Sequence, residues 1–241
     1  MDEKKTHVMV AEPEIGVRYL ADYLAGSERK RRAILVQSKY RPRARLIQHR
    51  EAKAVISNAI VNGSANKGFF KERADFVRNK LAVDDFDALT NETNADYLER
   101  FSEVVEALDL PGVEFQPGKT YPLAKVHGLK VLFGTNASLR RIGRNNKVRV
   151  GAMMFRYAKG KPLALLAAQY QSSAIFGFLK ECVVEDGAEL DRSLCVTLDG
   201  FTGTAHEAPT DAVTKFKDTQ AACATIADAW PNVKPPKGAV I

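Results

Sequence analysis

The chain has 241 residues, 45% hydrophobic and 27% charged, which are ordinary values for a globular protein with ample core. No apolar run approaches the roughly 20 residues that cross a bilayer, and MDEKKTHVMV lacks the apolar stretch of a secretory signal, so the sequence predicts a cytoplasmic protein without membrane contact. The formal net charge of +7 is unevenly placed: residues 28–53 carry ten Lys or Arg against two Glu, and residues 115–180 carry twelve against none. Charge segregated in this way makes a local positive field that draws phosphate polymers or other anions.

The first part of the chain reads helical. In PEIGVRYLADYLAG, Ile15, Tyr19, Leu20 and Leu24 form one stripe, with Gly26 as a C-terminal cap. EAKAVISNAIVNG places Ala52, Val55, Ile56, Ala59 and Ile60 at core-facing spacing before Gly63. TNADYLERFSEVVEALDLPG opens on Thr93-x-x-Asp96, which resembles a capping box, and presents Leu98, Phe101, Val105 and Leu108. Pro111-Gly112 then marks the boundary between a helical region, 1–110, and a second unit, 111–241.

Past that boundary the period shortens. TYPLAKVHGLKVLFGT and KVRVGAMMFRYAKG are β-rich runs punctuated by Gly and Pro. Pro162 suits a helix start, and PLALLAAQYQSSAIFGFLKE is apolar nearly all round, as a buried helix should be. RSLCVTLDGFTGTAHEAP reads as a further strand. TDAVTKFKDTQAACATIADAWP reads as a last helix, with Thr210 as N-cap. The expected class is therefore α/β (α+β): an N-terminal helical region followed by a β-β-β-α-β-α core.

Few motifs survive inspection. Gly118-Lys-Thr is no phosphate loop, because Gly112 stands one residue too far upstream and Pro122 follows where a helix should begin. His7, His49, His127 and His206 show no ligand spacing. Cys182, Cys195 and Cys223 are odd in number and widely spaced, as suits reduced core thiols. Cys195 and His206 act as nucleophile and base only if the Gly200–Gly203 turn folds them together. Asp199 reads first as a turn aspartate and second as a strand-end ligand.

The segment TNASLRRIGRNNKVRVGAMMFRYAKGKPLALL contains no Asp or Glu, and none occurs between Glu114 and Glu181. From residue 121 on, the element order resembles the PD-(D/E)XK nuclease-like core: a helix, a three-stranded meander, a helix, a further strand and a final helix. The resemblance implies a restriction-endonuclease-like fold, with an Asp on the second strand and an acid-x-Lys on the third, holding a divalent cation. Here Asn136 stands where the Asp is expected, and Gly151, Ala152, Met153 and Met154 stand where the acid and lysine are expected. A Mg²⁺ site wants hard carboxylate oxygens, and no shift of register within this stretch supplies one.

These residues point to a non-catalytic nucleic-acid-binding protein with a degenerate nuclease-like core and DNA or RNA as partner. The expected binding residues are Arg140, Arg141, Arg144, Asn145, Asn146, Lys147 and Arg149 around the turn RRIGRNNK, with Lys159 and Lys161 beyond the next strand. The bland reading of GRNNK is a polar hairpin turn, since Asn suits left-handed backbone. No cofactor is expected. Mg²⁺ or Mn²⁺ enters only under the alternative of a divergent nuclease whose carboxylates have moved to Asp199, Glu12 or Glu14. A third reading is an interaction module whose basic surface meets an acidic protein. All three leave room for a homo-oligomer.

Overall fold

A computed structural model describes residues 5–42, 49–108, 110–123, 125–143, 146–182 and 187–241. Its frame is a mixed sheet of five strands in the order β10-β9-β8-β7-β4. These are β4 (Glu114–Pro117), β7 (Ala137–Ile142), β8 (Val148–Arg156), β9 (Ala188–Asp199) and β10 (Ala205–Glu207). β4, β7 and β8 pair antiparallel side by side, with two strands of the smaller sheet between β4 and β7 in the chain; α6 (Leu165–Glu181) then crosses over, and β9 returns parallel to β8. A smaller sheet joins β2 (Glu14–Gly16), β6 (Lys130–Gly134) and β5 (Thr120–Tyr121), and β1 (His7–Met9) pairs with β3 (Tyr40–Pro42). The mixed α/β class expected from the sequence is what the chain adopts.

The large sheet separates two apolar cores, and the two-residue period of its strands assigns each side chain to one of them. Along β8, Ala152 and Met154 face α1 (Val17–Leu24), α2 (Glu28–Lys39), α6 and α7 (Ala212–Ala229). Met153 and Phe155 face α3 (Arg50–Val61), α4 (Lys67–Arg78) and α5 (Asp85–Val104). Pro111-Gly112 lies in a turn as expected, while each core draws residues from both sides of it. Gly151 has a specific reason to be glycine: a Cβ there would stand 2.3 Å from the Leu194 carbonyl oxygen, beside the register shift between β8 and β9.

Several boundaries differ from the sequence reading. Residues 14–16 are not helical, because parallel pairing with Lys130–Leu132 of β6 holds them extended and buries Ile15. α5 begins at Asp85, with the Asp84 carboxylate accepting the Asp87 N–H, so Thr93 sits mid-helix and its hydroxyl donates to the Thr90 carbonyl. α6 begins at Leu165 rather than Pro162, and α7 has Asp211 rather than Thr210 at its N-cap. The run LKVLFGTNASL is two strands in two sheets, broken at Thr135-Asn136. α3 and its stripe, by contrast, stand where the periodicity puts them, with Ala52, Ile56, Ala59 and Ile60 buried. Among the described residues no helix is long and apolar enough to cross a membrane.

Candidate functional site

β8 ends on Arg156, followed by Tyr157, and alternation sends them to opposite faces. Arg156 is buried against α1 and α6. It donates to Asp22 Oδ2 at 2.7 Å, to Gln171 Oε1 at 2.8 Å and to the Arg18 carbonyl at 3.2 Å. Tyr157 stacks on Tyr97 of α5 at 3.9 Å, and the His49 ring stands edge-on to both. His49 caps α3 with left-handed backbone (φ 60°), a conformation few residues other than glycine adopt. Its ring hydrogen-bonds the Thr93 backbone and leaves Nδ1 buried without a partner. Burial, followed by the charge of Lys53, pushes its pKa below the ordinary histidine value, so the ring is neutral near pH 7.

Lys53 follows His49 by one helical turn and faces the same side of α3. Part of the residue lines a small open pocket with Gly118, Thr135 and Asn136. Burial of its ammonium, with the charges of Arg18 and Arg156 adding to the effect, pushes its pKa down to about 8. Arg18 has a buried Nε without a hydrogen-bond partner. Among the described residues neither Lys53 nor Arg18 has a carboxylate in an ion pair, and Lys161 has none either. A cleft of about 750 Å³ is lined by Arg18, Asp22, Lys30, His49, Asp96, Tyr157, Lys159 and Lys161, with Lys53 outside it. Its two carboxylates are engaged: Asp22 with Arg156 and Lys30, Asp96 with Arg78 and Lys159. Among the described residues the cleft therefore holds more positive charge than its own acids neutralise.

The residues named from the sequence divide between two places. Lys159 and Lys161 line the cleft. Arg140, Arg141, Lys147 and Arg149 sit at the far end of the β7–β8 hairpin, and each meets an acid from a neighbouring strand. Arg140 pairs with Glu114, Arg141 and Arg149 with Asp191, and Lys147 with Glu189. Burial raises the Asp191 carboxyl, but hydrogen bonds from Ser193 and the two arginines outweigh it and hold the pKa at about 2. Asn146 has φ 54°, the left-handed turn conformation; Arg144 and Asn145 lie outside the described residues. Arg18, Asp22, His49, Lys53 and Arg156 were not singled out from the sequence. The i, i+4 spacing of His49 and Lys53 was visible there, but only the fold sets it beside Arg18 and Arg156.

The positions expected to carry nuclease acids have structural work instead. Asn136 Oδ1 accepts the Phe155 N–H at 2.7 Å, and the Asn136 N–H donates to the Met153 carbonyl, which pins the β6–β7 break to β8. Asn136→Ala is expected to lower stability by about 1–3 kcal/mol through the orphaned Phe155 N–H, read as a lower urea midpoint. On β8, neither face of the alternating run Gly151 to Phe155 offers a carboxylate. Asp199 is the turn aspartate of its first reading, accepting from the N–H groups of Leu163 and Phe201 and from the Thr202 hydroxyl. Glu12 pairs with Lys125, and Glu14 with Arg41 and Lys130.

The β9–β10 hairpin does set His206 opposite Thr197, two residues from Cys195. Burial nevertheless drives the Cys195 thiol far above the ordinary range, which is the reverse of an activated nucleophile. All three cysteines are free thiols. Among the described residues no three His, Cys, Asp or Glu gather in a way that could hold a metal ion. No family model matches the chain, and no curated protein is similar to it.

Proposed function

We propose that the protein binds nucleic acid without cleaving it, through the cleft between α1, α2, α5 and the end of β8. The observation that carries this reading is the cleft that Arg18 and Lys161 line, neither with an ion-paired carboxylate among the described residues, beside a β8 run that carries no acid. Unneutralised cations favour phosphate, and the half-exposed Tyr19 beside Arg18 offers a face on which a base can stack. The antiparallel β7–β8 hairpin followed by a helix, a strand parallel to β8 and a final helix supports the likeness to the PD-(D/E)XK nuclease-like core, although β5 and β6 interrupt the expected three-stranded meander. The engagement of Asp199, Glu12 and Glu14 weighs against carboxylates relocated to hold Mg²⁺ or Mn²⁺. The described hairpin cations Arg140, Arg141, Lys147 and Arg149, each matched to an acid, contribute a weaker and more screened share.

Fluorescence anisotropy with single- and double-stranded DNA and RNA tests the reading. Log affinity should fall linearly with log salt, and Lys161→Ala should reduce that slope by about 0.7 for a single strand. A flat salt response, or no binding at low salt, sinks it. Cleavage with Mg²⁺ or Mn²⁺ that disappears on replacing Asp199 or Glu14 would establish the nuclease alternative instead. A protein-interaction reading draws on one separate feature, the exposed apolar residues Phe76, Leu81, Val83, Phe86 and Leu89 around the α4–α5 turn. Light scattering that shows a stable complex without nucleic-acid affinity would favour it.

A further inference from the structure

A second, smaller cavity of about 210 Å³ adjoins the cleft, and Arg18, Tyr157 and Lys161 line both. Leu163, Ala164 and Ala167 form its wall on the α6 side. A helix leaves its first N–H groups without intrahelical acceptors and carries a partial positive charge at that end. α6 does nothing to answer either: Ala164 is the N-cap, no side chain caps it, and no acid stands in the first turn. Among the described residues none accepts from the N–H groups of Leu165, Leu166 or Ala167, whereas the Leu163 N–H upstream goes to Asp199.

The side chains around the cavity continue the imbalance. Arg18, Lys30, Arg156 and Lys161 line it with Asp22 and Asp199, so cations outnumber carboxylates by two. Asp22 pairs with Arg156 and Lys30, and Asp199 is occupied by the Leu163 and Phe201 N–H groups and the Thr202 hydroxyl. Arg18 and Lys161 are the two cations left over. Independently of the helix, Arg18 Nε is buried without an acceptor. A buried donor left unpaired is uncommon in a folded protein, and a bound ion is one of its few explanations. At about 30 Å³ per water, a cavity of about 210 Å³ has room for one tetrahedral oxyanion and a few waters. Arg18 and Lys161 therefore meet the same ligand.

We propose that the N-terminus of α6, Arg18 and Lys161 form a seat for one phosphate group, a phosphate of the bound nucleic-acid strand. The helix end supplies backbone donors, Arg18 a planar fork and Lys161 a point charge, all suited to phosphate oxygens. Because Arg18, Tyr157 and Lys161 belong to both cavities, the nucleotide attached to that phosphate extends into the larger cleft, beside Tyr19 and Tyr157. The identity of the strand rests on the nucleic-acid reading, while the seat rests on the helix end and the two cations. Inorganic phosphate and free nucleotides offer the same group, and the experiment separates these sources.

Ala164 has the extended backbone of an N-cap (φ −61°, ψ 130°), so Ala164→Asp should cap α6 and fold with a thermal midpoint at or above that of the wild type. Its carboxylate takes the free N–H groups and repels an anion. Arg18→Met leaves α6 untouched and keeps the backbone carbonyl that accepts from Arg156. Inorganic phosphate is titrated into the full chain at constant ionic strength while the amide resonances of Leu165, Leu166 and Ala167 are followed, and anisotropy measures a labelled oligonucleotide. Phosphate should move these resonances saturably in the wild type. Each substitution should weaken phosphate at least about tenfold, the loss expected when charge-assisted hydrogen bonds are removed, and should weaken the oligonucleotide with it. No response in the wild type, or an equal response in both variants, overturns the seat; oligonucleotide binding that persists then leaves the nucleic-acid reading standing. Phosphate lost from the variants while the oligonucleotide binds them as tightly as before places the seat off the path of the strand and overturns the proposal. Phosphate held at the seat with no oligonucleotide bound at any salt keeps the seat and overturns the nucleic-acid reading.

Discussion

Lys53→Met is expected to raise the unfolding free energy by about 3 kcal/mol at pH 7, an unusual gain for a substitution on a helix. The size follows from the drop between the ordinary lysine pKa near 10.4 and the folded value of about 8, at 1.36 kcal/mol per pKa unit. Folding withdraws the ammonium from water and sets it beside Arg18 and Arg156, so the charged form is penalised only in the native state. Methionine keeps the length of the stem and removes the charge.

The sign of the pH dependence is fixed by the same numbers. Between about pH 8 and pH 10.4 the unfolded chain holds a proton at Lys53 that the folded chain has released, so wild-type stability gains with rising pH across that window. Below about pH 8 the lysine is charged in both states and the penalty is constant. The advantage of Lys53→Met should therefore be full at pH 7 and shrink towards zero by about pH 10.4. Parallel urea titrations of the two proteins at pH 7 and pH 10 measure it, with titrations at other sites cancelling in the difference. A stability difference that is absent at pH 7, or unchanged at pH 10, would show that the ammonium is solvated after all. Among the described residues no carboxylate forms an ion pair with this ammonium, so nothing there offsets what its charge costs folding.

What the sequence disclosed and what it hid follow one division. α3 and α6 were legible because local apolar periodicity and burial agree: Ala52, Ile56, Ala59 and Ile60 face a core, and α6 is enclosed on most sides. β2 was illegible because Glu14–Gly16 is extended only by pairing with Lys130–Leu132, more than a hundred residues away. The break at Thr135-Asn136 was hidden for a similar reason, since both flanks have strand composition and it is long-range bonds, from Thr135 to Lys119 and from Asn136 to Met153 and Phe155, that divide them.

Charge behaved in the same way. The acid-free stretch from 115 to 180 is real in sequence, but Asp191 and Glu189 of β9 and Glu114 of β4 cross the sheet to meet its hairpin cations. Arg18 and Lys161, without an ion-paired carboxylate among the described residues, lie instead in the cleft at the end of β8. No linear window could contain Arg18, Lys53 and Arg156 together. The absence of carboxylates along β8, which is a local property, was read correctly from the chain.

Asp22→Asn should expose how much of the fold depends on that arrangement. Asp22 answers the buried Arg156 at 2.7 Å and Lys30 at 3.2 Å, with Arg156 only 7% exposed and Asp22 16%. Removing one partner of a buried pair strands the other charge, at a cost of about 3–5 kcal/mol. Here the stranded arginine also sits within reach of Arg18 and Lys53, so repulsion compounds the loss. The asparagine amide keeps a carbonyl for one Arg156 N–H, which places the expected destabilisation near the lower end, about 3 kcal/mol. If the cations act as one electrostatic unit, Lys53→Met should recover more stability in the Asp22→Asn background than in the wild type. The expected coupling is at least about 0.5 kcal/mol in a double-mutant cycle. Strict additivity would show that Asp22 does not offset the charge of Lys53, and that the two belong to separate electrostatic neighbourhoods. A loss below about 1 kcal/mol for Asp22→Asn alone would place that pair among ordinary surface salt bridges.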